Sequence, residues 1–174
     1  MEYNIAQSLL ILERTPLILE QMLHGLPNEW ILSNEGKDTF SPFDVVGHLI
    51  HGEKTDWIDR LEIILSDKPE KTFMPYDRFA QFKDSIGKSM EELLSEFKQL
   101  RQRNLKILRS KNLTANDFTK TGNHPALGTV TLKNLLATWT VHDLSHIAQI
   151  SRVMAKQYKS EVGPWTEYLP ILTR

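Results

Sequence analysis

Residues 131–158 read TLKNLLATWTVHDLSHIAQISRVMAKQY, and the expected architecture is built outward from them. At 100° per residue, Leu132, Leu135, Leu136, Trp139, Ile147, Ile150, Val153 and Met154 fall within about 60° of a common line, the signature of a long helix with one apolar stripe. Other helices must cover that stripe, and three more stretches have the spacing to do so. Ile5, Leu9, Leu12, Pro16, Leu19 and Leu23 recur in steps of four and three. Pro16 lacks a backbone donor, which predicts a kink there or a break with Thr15 capping a second segment, and a stop near Gly25. Ser41, Pro42 and Asp44 supply a cap, a first-turn proline and an acid three residues after the cap, opening a second helix that runs to about Leu65. The third carries Ile86, Met90, Leu93, Phe97, Leu100, Asn104 and Ile107, with lysines and arginines near its end where the helix dipole favours them.

The connections are uneven. Residues 67–85 are long enough to cross the bundle, and 76–83 reads as a short helix. Residues 111–130, with Gly122, Pro125 and Gly128, form a polar link longer than most helix connections, without convincing strand alternation. The tail, 163–174, holds Pro164, Trp165, Tyr168 and Pro170 and reads as a turn and a short helix packed outside. Four amphipathic helices with two long connections predict an all-α four-helix bundle that is not simply up-and-down, in a single domain over residues 1–174.

Composition excludes much chemistry. The chain has 174 residues, 40% apolar and 25% charged, enough for a core without staples. Lys plus Arg number 21 and Asp plus Glu 22, so there is no field to gather nucleic acid or anionic lipid. No cysteine is present, which removes disulfides, zinc fingers, Fe–S clusters and thiol nucleophiles and leaves His, Asp and Glu as metal ligands. Residues 1–23 carry Glu2, Glu13, Arg14 and Glu20, unlike a signal peptide or membrane span, and no apolar run approaches about 18 residues, so the expectation is a soluble, cytoplasmic protein.

Six histidines carry the functional reading. His142 and His146, four apart on the last helix, point the same way and can reach one ion together. With Leu132 at zero, they project near about 280° and 320°, at the rim and inside the apolar stripe. The plainer alternative is a pair of core-edge histidines bonded to neighbours. In zinc proteases of the H-E-x-x-H type the second position is a glutamate base, whereas here it is the shorter Asp143. Asp143 projects into the middle of the stripe, where a carboxylate needs a partner: an imidazole N–H, a cation from another helix, or backbone donors. A structural role for it outweighs a catalytic one. On the second helix His48 falls at the rim of the apolar face, with Gly52 leaving room one turn on, while His51 reads as exposed. Glu53 projects among apolar residues, which requires a basic group or a ligand imidazole as partner, and a buried Glu–Arg pair without functional meaning outweighs the second. His124, on the long connection, is a candidate to cover a site and act as acid or base, although a lone loop histidine is more often simply solvated. Gln149 and Arg152 follow His146 by one and two turns and are candidates to orient an anionic substrate, with Arg152 better suited to neutralise Glu53 or Asp143. His24 reads as a helix C-terminal residue, and Trp30, Trp57, Trp139 and Trp165 as core, or as surfaces for self-association.

A Ser-Pro-x-Asp-Val-x-Gly-His-Leu helix start, from Ser41 to Leu49, followed by Trp-x-x-His-Asp-x-x-His-Ile-x-Gln, from Trp139 to Gln149, resembles the DinB/YfiT-like family of bacterial four-helix proteins. The likeness covers nearly the whole chain in length and helix layout. It implies an up-down-down-up bundle, often a homodimer, and a divalent metal, nickel or zinc, on one histidine of the second helix and two of the last: His48, His142 and His146. Three neutral imidazoles leave positions open, as in catalytic rather than structural sites. The resemblance further implies a small-molecule substrate, handled by thiol S-transfer with a low-molecular-weight thiol or by hydrolysis. Two other readings stand beside it: a stress-response protein that binds metal or ligand without turnover, and a metal-free dimeric bundle.

Overall fold

The computed structural model describes residues 1–173; Arg174, the end of the predicted tail, lies outside the described residues. The first helix, α1 (Ile5–Leu23), starts where the Asn4 side chain accepts from the amide of Gln7. It runs through Pro16 as one element, and no second segment begins there. Thr15 is not a cap: its hydroxyl donates back to the carbonyl of Ile11 at 3.3 Å. Proline at 16 deprives the Leu12 carbonyl of its helical donor. That oxygen instead accepts from Arg101 Nη1 at 2.8 Å, so a tertiary bond replaces the missing helical one.

A single turn, α2 (Asn28–Ile31), leads toward α3 (Pro42–Thr55), which opens with the expected reciprocal cap between Ser41 and Asp44. The predicted second helix reaches Leu65 but is interrupted at Asp56, whose φ of −123° and ψ of −72° leave the helical region, and resumes as α4 (Trp57–Leu65). Gly52 and Thr55, the latter donating to the carbonyl of His51 at 2.9 Å, weaken the helix before the break. The offset lays Trp57 flat on Trp139, ring centres 5.6 Å apart.

The predicted helix at 76–83 is the shorter α5 (Ala80–Asp84). The third long helix, α6 (Met90–Ser110), starts four residues later than the apolar spacing implied, because Gly87 turns with positive φ and Ser89 and Glu92 form a capping box; Ile86 is left exposed. The link, which lacks strand alternation in its sequence, holds a hairpin of β1 (Thr121–His124) and β2 (Gly128–Thr131), with Thr121 opposite Thr131 and His124 opposite Gly128. Its pairing is tertiary in origin: Asn123 exchanges backbone hydrogen bonds with Lys71 and Phe73 of the crossover, which local sequence does not show. Gly122 sits hard against Phe73, where an added Cβ would come within 2.6 Å of the ring. Thr131 caps the last long helix, α7 (Leu132–Gln157), and short 3-10 turns follow at Gly163–Tyr168 and Pro170–Leu172, the latter seated on α7 through buried Leu172.

Side-chain pairs give the topology. Glu13 meets Arg109 and Glu20 meets Lys98, so α1 and α6 are antiparallel. Lys54 meets Glu96, Glu53 meets Arg101 and Lys111 meets Glu62, so α3–α4 runs parallel to α6. His48 faces His142 while Trp57 faces Trp139, so α7 opposes α3–α4. The order is up-down-down-up, as the resemblance implied.

Two apolar clusters fill the bundle, one around Leu12, Trp57, Leu61, Leu105 and Trp139, the other around Leu19, Val45, Leu49, Phe97 and Ile150. Between them in sequence, on every long helix, lies a polar layer centred on Arg101, which is 1% exposed. Among the tryptophans, Trp57 and Trp139 are core, Trp30 is half-buried with its ring edge-on to Tyr158, and Trp165 is exposed, contrary to the core reading for the last two.

Candidate metal centre

His48 lies in the second turn of α3, and the antiparallel α7 presents His142 and His146 to it. His142 Nε2 stands 3.2 Å from His48 Nε2 and 3.1 Å from His146 Nε2, and the three rings offer ligand atoms all within 4.8 Å of one another. Two nitrogens about 2.1 Å from one ion, at tetrahedral to octahedral angles, would lie about 3.0–3.4 Å apart, so the His48–His142 and His142–His146 spacings fit a shared cation.

Neighbouring groups select the nitrogens that converge. His146 Nδ1 donates to Gln149 Oε1 at 2.8 Å, which leaves the lone pair on Nε2. The Tyr76 hydroxyl lies 3.3 Å from His48 Nδ1 and also reaches the His48 carbonyl, holding that ring in the same sense. His142 Nδ1 is buried without a partner among the described residues, and the ring is held instead by the edge contact of Trp57. Converging lone pairs repel unless a proton or cation sits among them, and protons are disfavoured. Burial, reinforced by the other histidines, pushes His48 and His142 down to about 3. Burial also lowers His146, against the opposing hydrogen bond to Gln149. At neutral pH the cluster is three neutral imidazoles, the form that binds metal.

Beneath it lies the polar layer. Arg101 donates through Nε and Nη2 to Glu53 Oε1 at 3.0 and 2.8 Å, and through Nη1 and Nη2 to Asp143 at 2.5 and 3.0 Å. With the bond to Leu12, all five guanidinium donors are used. Glu53 also accepts from Trp139 Nε1 at 3.1 Å and from Asn104 at 2.9 Å. Asp143, a catalytic candidate by sequence, is therefore fully buried and bound to Arg101, and does not line the cavity described below. Its predicted need for a partner is met by a cation from another helix. That cation is not Arg152, which pairs with Glu35 at 2.7 and 2.8 Å and holds its carboxyl down at about 2.

Other candidates separate. His51, expected to be exposed, is half-buried beside the ring of Tyr76 and 3.8 Å from Asp84, outside the cluster. His124 stands on β1, where its Nδ1 accepts the amides of Ala126 and Leu127 at 3.1 and 3.2 Å, and it lines the cavity wall without joining the other histidines. His24 follows α1 as its C-terminal cap residue, as read. Sequence reasoning missed Arg101 and Tyr76. Arg101 was traceable: it lies four residues after Phe97 on the apolar face of α6, where only a buried anion makes a guanidinium tolerable.

Over the cluster opens a cavity of about 570 Å³, the size of small-molecule sites, walled by Phe40, Trp57, Phe73, Val130 and Leu135. Arg60, Arg78 and Arg152 also line it, with Asp56 beside Arg60, a carboxyl that burial raises to about 6.

The chain is thus a small α-helical protein, an up-down-down-up bundle with one histidine of its cluster on the second long helix and two, four apart, on the last. The sequence profile of the DinB superfamily matches residues 11–150, a span holding all three histidines, and the chain belongs to that superfamily. Among solved structures, YfiT from Bacillus subtilis, described as a probable metal-dependent hydrolase with an unusual four-helix bundle topology, superposes with a TM-score of 0.73. The match covers 90% of this chain and 87% of that one at 23% identity, which speaks for the fold. Comparison with curated proteins gave no match. Among the described residues, no helix is long and apolar enough to cross a membrane.

Proposed function

We propose that this chain is a metal-dependent enzyme acting on a small molecule, with a divalent ion, nickel or zinc, held by His48, His142 and His146. The convergence of three neutral Nε2 atoms at the base of the cavity carries this reading. Bound there, the ion would supply Lewis-acid polarisation of a substrate oxygen or hold a thiol as thiolate. Gln149 and Tyr76 orient the ligand rings, and the apolar walls exclude water from the reacting groups. His124, its Nδ1 occupied by backbone amides, is left with Nε2 to hold or release a proton at the wall.

Hydrolysis is the leading reaction class, since that is how the structurally similar YfiT is described. Thiol S-transfer with a low-molecular-weight thiol, implied by the family resemblance, is the second. The expected partners are the small-molecule substrate, that thiol in the second case, and a second copy of the chain in a cytoplasmic homodimer, which sedimentation would measure.

Protein prepared without a histidine tag is expected to carry about one nickel or zinc per chain by elemental analysis and to lose thermal stability with chelator. Single alanine substitutions at 48, 142 and 146 that leave metal content intact would refute the assignment. Metal-loaded protein inert toward esters, amides and thiol–electrophile pairs would instead make it a binding module without turnover.

A further inference from the structure

Three arginines line the cavity, and they are not equivalent. Arg60 is held by Asp56, and Arg152 by Glu35, which also holds Lys156. Arg78 pairs with no carboxylate among the described residues; only the ring of Phe79 lies against it, 5.2 Å from the guanidinium carbon. It stands on the crossover between α4 and α5, and its charge is close enough to bear on His48. The cavity is also lined by the aromatic rings of Phe40, Trp57 and Phe73. The lining holds three carboxylates as well: Asp56 and Glu35, which take Arg60 and Arg152, and Asp38, which makes no ion pair among the described residues. An anion brought by a ligand therefore has one unpaired guanidinium to meet, the exposed Arg78, and an apolar body has the aromatic walls.

We propose that the molecule taken into this cavity has an apolar body, packed against Trp57, Phe40 and Phe73, and an anionic group, a carboxylate or phosphate, bound by Arg78. The inference deepens the enzymatic reading and rests on the same cavity. Arg60 and Arg152 contribute little to the anion's binding because each already has its counter-charge. Arg78 offers a planar fork that pairs with no carboxylate among the described residues, which suits a bidentate anion.

The test uses 4-phenylbutyrate, 4-phenylbutyl phosphate, 4-phenylbutanol and 4-phenylbutylamine, titrated by calorimetry into protein stripped of metal by chelator. Without metal, a carboxylate has no cation at the histidines to bind. The anionic probes are expected to bind at least tenfold more tightly than the alcohol, and the amine more weakly still. The advantage should shrink as salt is raised from 50 to 500 mM, disappear in Arg78→Gln and return in part in Arg78→Lys. Arg103→Gln, a change at an exposed arginine of α6 away from the cavity, is expected to leave it intact. Carboxylate against phosphate distinguishes the two anions. Equal affinity for acid and alcohol, a preference that survives Arg78→Gln, or no binding by any probe at millimolar concentration would overturn the proposal. A preference appearing only after metal is restored would also overturn it, placing the anion at the histidines. Failure of the chain to bind metal would sink the enzymatic reading without touching this result, because the titration is made on metal-free protein.

Discussion

The three candidate ligands differ in what surrounds them. His146 is oriented by a hydrogen bond to an amide, His48 by a phenol, and His142 only by packing against Trp57. Second-sphere partners of this kind change metal affinity by about 10–100-fold. Gln149→Leu and Tyr76→Phe should each weaken metal binding within that range in a competition titration with a chromophoric chelator, without removing it. His142→Ala should abolish stoichiometric binding. Arg101 raises a different question at the same scale. Removing it leaves Glu53 and Asp143 buried as unpaired carboxylates, and loss of one partner from a buried ion pair costs about 3–5 kcal/mol. Arg101→Leu is expected to lower stability to urea by that amount, and joint replacement of Glu53, Asp143 and Arg101 by apolar residues should recover most of it.

At the scale of elements, most long-helix boundaries follow local chemistry. Ser41 with Asp44, Ser89 with Glu92 and Thr131 with Asn134 each close a reciprocal cap, and each starts a helix where the side chains dictate. Where periodicity and caps disagree, as between Ile86 and Met90, the cap prevails, since an uncapped first turn leaves amides unsatisfied. The hairpin is the contrary case. It has no pattern of its own and is held by Asn123 against the crossover and by Gly122 against Phe73. Gly122→Ala is therefore expected to cost about 1–3 kcal/mol, read from a chemical melt, because Phe73 is buried on all sides and a side chain at 122 must displace it.

For the whole molecule, Glu35 fastens the loop before α3 to Arg152 and Lys156 on α7, on one side of the cavity. Its carboxyl is depressed to about 2, chiefly by the hydrogen bond from Arg152. A depressed carboxyl contributes stability that is complete above its unfolded value, near about 4.5, and is lost as pH falls through the folded one. Melting temperature should accordingly drop between pH 4.5 and 2 by more in the natural chain than in Glu35→Gln, whose profile is expected to be flatter there. Metal acts on the same global equilibrium: an ion bound only by the folded state raises the melting temperature with its concentration, so saturating nickel or zinc should stabilise the natural chain and leave His142→Ala unmoved.

Legible in the sequence were the four long helical stretches, the Ser41 cap, the absence of cysteine chemistry and the three candidate histidines, because helical periodicity, capping and ligand spacing are local properties that a single strand of residues carries. The caps at Ser89 and Thr131 are equally local, but in a reading of the sequence the apolar spacing outweighs them. The sequence also required partners for Glu53 and Asp143 without naming them. Only the tertiary structure decided that the partner is Arg101 and that this guanidinium also takes the carbonyl freed by Pro16. The same holds for the break of the second helix at Asp56, the assignment of Arg152 to Glu35, and the position of Arg78 at the cavity with no carboxylate partner among the described residues. Each depends on which helix faces which, and pairing across a bundle is set by the packing of all its apolar stripes at once, information that no one segment contains.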